Sequence, residues 1–143
     1  MNLRKEQSKK YLEEAEQTLQ AAEFLFNVVK DGKRNLSAQV VKLGYDSMEQ
    51  AVSAAIAFKD EIIPRNHPQK ISSFERLYPL HKDTFTILLK WLRKRSATQY
   101  ADIKSGRVTI PSESFNVGDA ESVLSDSKKV LEDINNIVST NTA

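Results

Sequence analysis

The sequence predicts an all-α fold, an antiparallel four-helix up-down bundle with an additional short helix, and three observations predict it. Apolar residues recur in alternating steps of three and four over four long stretches, which places them on one face of a helix. Only four glycines and four prolines occur in 143 residues, too few for a meander of many turns. The connections between the stretches are short enough to suit antiparallel neighbours that bury one another's stripes. A chain of this length buries its own core without staples, so residues 1–143 read as a single domain.

The first helix is expected over about residues 4–30, with Leu12, Ala15, Leu19, Ala22, Phe26 and Val29 inward and Asp31-Gly32 ending it. The second starts near Asn35 or Ser37 and ends around Lys59. Its apolar positions are Val41, Tyr45, Met48, Val52 and Ala55, and Gly44, Ala51, Ala54 and Ala57 permit close approach of another backbone. Residues 60–68, with two prolines, read as a loop. A short helix over Ile71 to Tyr78 is broken by Pro79. The third long helix runs from His81 to Gln99 with Phe85, Leu88, Leu89 and Leu92 inward. Residues 103–114 read as a connection with an extended piece at Val108-Thr109-Ile110. A final helix over about 114–138 presents Val117, Ala120, Leu124, Ser127, Leu131, Ile134 and Val138. A second stripe on it, Val123, Val130 and Ile137, suggests a surplus for a two-fold partner, and residues 139–143 are expected to fray.

Absent residue types narrow the chemistry. With no cysteine there is no disulfide, thiolate nucleophile or Cys-rich metal site, and two histidines without HExxH leave little for a His-rich one. No phosphate-cradling glycine loop or nucleophile elbow occurs, so neither a metal nor a cofactor is expected. Glu13, Glu14 and Glu16 have helical spacing and read as a solvated face. No signal peptide or membrane span is seen, which makes a cytoplasmic location and no membrane partner the expectation.

The net charge of +2 hides a division. Residues 90–107 sum to +5 and residues 108–143 to −4, so a basic patch of Arg93, Lys94, Arg95, Lys104 and Arg107 suits a phosphate-bearing partner. The bland alternative is that these cations complement a helix C-terminus. On a continuing helix Arg93 and Tyr100 share one face and Arg95 and Gln99 another. Arginine supplies a planar fork for phosphate, and tyrosine a ring that stacks. His67 and His81, the two groups that titrate near neutrality, read as surface or helix-start residues.

Several segments together resemble the HEPN domain (higher eukaryotes and prokaryotes nucleotide-binding): the opening helix at Tyr11-Leu12-Glu13-Glu14-Ala15-Glu16, the small-residue segment Gly44 to Ala55, His67 followed by Phe74, and Arg95 to Tyr100. The resemblance implies a helical bundle, a homodimer and a nucleotidyltransferase as protein partner in a toxin-antitoxin pair, with RNA or a nucleotide as ligand. Ribonuclease members carry an Arg and, four to six residues on, a His. Here no His follows Arg93 or Arg95 at that spacing, and Thr98 stands where it belongs if Tyr100 is aligned. Neither Thr nor Gln moves a proton near pH 7, so a non-catalytic or weakly catalytic subunit is expected, with Arg93, Lys94, Arg95, Tyr100, Lys104 and Arg107 as its ligand-binding residues and no catalytic residue. Tyr100 is, by the resemblance, a candidate site of nucleotidyl modification. The alternatives are a metal-independent ribonuclease toxin with a degenerate motif, and a structural helical adaptor without a ligand.

Overall fold

The computed structural model describes residues 2–32 and 34–140. Its main elements are α1 (Leu3–Lys30), α2 (Ser37–Phe58), α3 (His67–Leu77), α4 (Lys82–Arg95), β1 (Asp102–Lys104), β2 (Arg107–Thr109), α5 (Pro111–Ser114) and α6 (Val117–Thr140). The chain is therefore all-α apart from one small hairpin.

Helix α2 is the centre, and α1, α3, α4 and α6 all pack on it. From Ala51 to Phe58 every residue is buried. The alanines and Gly44 let neighbours come close: a methyl at Gly44 would lie 2.9 Å from Val123 Cγ2 on α6. Buried serines fasten these contacts by donating to carbonyls across the interfaces. Ser8 bonds Ala54 O at 2.7 Å, Ser47 bonds Ala15 O at 2.9 Å and Ser127 bonds Gly44 O at 2.7 Å. Each hydroxyl is thereby satisfied without water.

The α1 stripe is buried at Leu12, Ala15, Leu19, Ala22 and Val29, whereas Phe26 and, on α4, Leu92 are only partly covered against the core. On α4 the deepest residues are Leu88 and Trp91. On α6 both stripes are spent inside the chain. Val123, Val130 and Ile137 are buried, because α6 packs on α1, α2 and α4 together. They leave no surplus for a second copy, and Val117, expected inward, is exposed.

Several boundaries differ from expectation. Helix α3 begins at His67, because Asn66 caps it by accepting from Gln69 N at 3.1 Å and Pro68 sits in the first turn, where a missing N–H costs nothing. Helix α4 stops at Arg95, where Thr98 Oγ1 donates to the Arg95 carbonyl at 2.7 Å and Ser96–Thr98 tighten into a 3-10 turn. The extended piece is half of a hairpin pairing Ile103 with Val108. Its turn places Ser105 and Gly106 at φ 52° and 76°, the positive values that a two-residue hairpin loop requires. Finally, α6 starts at Val117, not 114, since Asn116 and Asp119 cap it reciprocally, each side chain accepting from the other's N–H at 3.0 Å. It continues through Thr140, so Ser139 is helical, while 141–143 lie outside the described residues.

Candidate functional site

A polar strip interrupts the buried α2. Asp46, Glu49, Gln50 and Ser53 follow one another at helical steps and line one side of it. Helix α3 brings His67 and Lys70, three residues apart, onto the same strip. Glu49, 7% exposed, receives His67 Nδ1 at 2.6 and 2.8 Å on its two oxygens and Lys70 Nζ at 3.0 Å on Oε1. Burial alone would raise the Glu49 pKa, but the hydrogen bond and charge of Lys70, followed by the His67 hydrogen bond, outweigh it and hold the carboxyl below its ordinary value. With Nδ1 donating to a carboxylate, the imidazole is oriented and its Nε2 is left for other chemistry.

Arg95 closes the group from the end of α4. Burial pushes the Asp46 carboxyl up, and Arg95, Lys42 and His67 act on it in the opposite direction. The guanidinium of Arg95 and the imidazole of His67 are thus both within electrostatic reach of one carboxylate. Arg95 Nε is buried without a hydrogen-bond partner, as are the Tyr45 hydroxyl and Gln50 Oε1. Tyr45, 1% exposed, lies near the Glu49 carboxylate without meeting it in hydrogen-bond geometry. Its phenol is pushed well up by burial first and by the Glu49 charge second. Beside these groups opens a cleft of about 210 Å³ lined by Tyr11, Asp46, Glu49, Gln50, Ser53 and Lys70.

The basic stretch does not converge in this way. Arg93 and Lys94 are exposed on the last turn of α4, Tyr100 is 63% exposed beyond it, and Arg107 is exposed on the hairpin. The side chain of Lys104, like that of Asp102, lies outside the described ones. Because α4 ends at Arg95, the expected shared faces of Arg93 with Tyr100 and of Arg95 with Gln99 do not form on a continuous helix. Trp91 gathers Lys94 and its neighbour Lys90: their ammonium nitrogens lie 4.9 and 4.8 Å from the centre of its ring. Lys90 Nζ and Trp91 Nε1 also share Asp126 Oδ2, at 2.9 and 2.8 Å. Of the predicted ligand residues with a described side chain, Arg95 is the one that joins the polar strip.

His81 serves a different contact. Its Nδ1 lies 2.9 and 3.0 Å from the Asp133 oxygens, and Thr84 Oγ1 donates to the same carboxylate at 2.6 Å, tying the start of α4 to α6. Glu13, Glu14 and Glu16 are exposed, and among the described residues no group of three His, Cys, Asp or Glu gathers as for a metal ion. No described helix is long and apolar enough to cross a membrane.

Sequence reasoning missed Tyr45, Asp46, Glu49, Gln50 and Lys70 as site residues. The available signal was the run Asp46, Glu49, Gln50, Ser53, a polar stripe at helical spacing in a helix otherwise apolar or small. No family model matches the chain, and no curated protein or solved structure matches it at a significant level.

Proposed function

We propose that the chain is a HEPN-type helical protein that binds a nucleotide or an RNA phosphate as a non-catalytic or weakly catalytic subunit. Its long helices α1, α2, α4 and α6 are read as an antiparallel up-down bundle with α3 as the additional helix. The homodimer and the nucleotidyltransferase partner are carried from the resemblance, and the cytoplasmic setting from the sequence reading. The exposure of Tyr100, at 63%, suits a hydroxyl that a partner enzyme modifies. The observation that carries the reading is Arg95, a half-buried guanidinium whose Nε lacks a partner and which acts, with Lys42 and His67, on the Asp46 carboxylate that lines the cleft. A buried donor left without a partner is costly, and a phosphate oxygen would satisfy it in the geometry that guanidinium prefers. Binding of a single-stranded oligoribonucleotide is expected to weaken steeply between 50 and 200 mM salt and to be lost in Arg95→Ala. Affinity indifferent to both overturns the reading and favours the structural adaptor.

One observation favours a second reading, the ribonuclease. His67 and Arg95 both act on Asp46, so an imidazole from α3 and the guanidinium of the motif Arg share one carboxylate neighbour. RNA cleavage by the purified protein that disappears in both His67→Ala and Arg95→Ala would promote it over the non-catalytic reading.

A further inference from the structure

The hairpin turns its apolar side outward. Ile103 and Val108 are paired across the two strands, so their side chains stand on the same face. Ile110 follows two residues on in extended backbone and joins them. The other face carries Arg107 and Thr109. An ordinary antiparallel ribbon covers its apolar face with the body of the molecule and gives its polar face to water. Here Ile103, Val108 and Ile110 are 75, 64 and 46% exposed, while Thr109, on the polar face, is half-covered. The two ends of the ribbon are fixed, because the 3-10 turn before it and α5 after it pack on each other and on α2. Between those ends neither strand packs extensively on a helix. A two-stranded ribbon standing alone is marginal, and a helix packed on its apolar face stabilises it.

We propose that this face is the docking surface for an acidic amphipathic helix of a partner protein. The helix follows from the shape of the site: a strand added at an edge would leave the face bare, whereas a helix lies across it with its apolar stripe on Ile103, Val108 and Ile110. The acidic character follows from charge. Arg93, Lys94 and Arg107 are exposed, and residues 90–107 sum to +5, so carboxylates flanking the stripe meet a field of opposite sign. A second copy of this chain fits less well, because a two-fold contact would set the same cationic segments against each other. A single-stranded nucleic acid suits the charge but not the face. Tyr100 is the one aromatic ring between Arg93 and Ile110, and aliphatic side chains give bases nothing to stack on. An apolar centre with charge around it is instead the composition of a protein interface. The surface lies apart from the α2 cleft and goes beyond the nucleotide reading without depending on it.

Selection of a phage-displayed library of helical peptides on the immobilised full chain tests the surface, with the affinity of each selected peptide then read by fluorescence anisotropy at physiological salt. The selected peptides are expected to carry Asp and Glu beside an apolar stripe. Their binding should weaken about tenfold or more in the double variant Ile103→Ser, Val108→Ser, the loss that removal of central apolar contacts brings. It should also weaken in Arg107→Glu, which keeps the apolar face and carries the test alone if the double variant melts the hairpin. Circular dichroism establishes that the helices of both variants are intact. Selected helices without acidic residues, binding indifferent to both variants, or no selected helix at all overturns the proposal. Self-association in sedimentation equilibrium that the double variant abolishes overturns it in favour of a second copy. A single-stranded oligoribonucleotide whose affinity falls in the double variant overturns it in favour of nucleic acid. Nucleotide binding at the α2 cleft stands or falls separately, by Arg95→Ala.

Discussion

The polar strip of α2 and the basic stretch from Arg93 to Arg107 hold charge in opposite ways. The stretch has more cations, but it spreads them over a helix end and a hairpin with a 3-10 turn between, and apart from Arg95 its described cations are exposed. The strip has fewer charges, from three helices, drawn around two carboxylates and a cleft. Exposed charges in water interact weakly and are screened by salt, while half-buried ones act strongly on one another. A surplus of cations along the chain therefore marks a field, and convergence across helices marks a site.

The sharpest way to break that contrast is to remove the carboxylate at its centre. Glu49→Ala leaves Lys70, whose side chain is 15% exposed, without its counter-charge, and the loss of one partner of a buried pair is expected to cost about 3 to 5 kcal/mol in urea unfolding. A cost under about 1 kcal/mol, the size of a surface ion pair, would put Glu49 on the same footing as the exposed stretch. The same group gives the molecule an acid limb. Its folded pKa is lowered, so its contribution is full above the ordinary glutamate value and is lost as pH falls through the folded value. Asp46 works against it, because its raised pKa favours the folded state only at low pH. Stability measured from pH 6 down to pH 3 should fall less steeply in Glu49→Gln than in the native chain.

A smaller effect tests whether α2 is held rigidly enough to position the strip. Gly44→Ala forces a methyl to within 2.9 and 3.0 Å of the two Val123 methyls, and overpacking of this kind costs about 1 to 3 kcal/mol. A melting temperature equal to that of the native chain would mean that α6 yields freely at this contact. The smallest effects belong to the other region. Arg93→Ala and Arg107→Ala, at exposed positions, should each change stability by no more than about 0.5 kcal/mol, and a larger loss in chemical denaturation would show that the stretch is built into the fold.

Much of this architecture is legible in the sequence, and the failures have local causes. Leu12, Ala15, Leu19 and Ala22 announce α1 by spacing, and the alanine-rich α2 announces a helix meant to be approached closely. The start of α3 was obscured because Pro68 reads as a breaker, although a first helical turn accepts it. The end of α4 was obscured because apolar periodicity does not register a threonine hydroxyl taking a helix carbonyl. Strands of three residues are too short to show alternation, so the turn dipeptide Ser105-Gly106 is the hairpin's better sign in the sequence. The site was harder still. Glu49 and His67 are 18 residues apart, and nothing in the spacing pairs them. Arg93 and Arg95 look equivalent in a basic run, but two steps of about 100° send one outward and the other toward α2.

Where a nucleotide binds decides between the two regions most directly. In a ¹⁵N-labelled full chain titrated with GMP, the account predicts backbone amide shift changes concentrated at residues 45–53, 67–70 and 95, with residues 100–109 little altered. Changes concentrated at 100–109 and at Arg93 and Lys94, with the α2 amides unmoved, would contradict it and return the site to the exposed basic stretch.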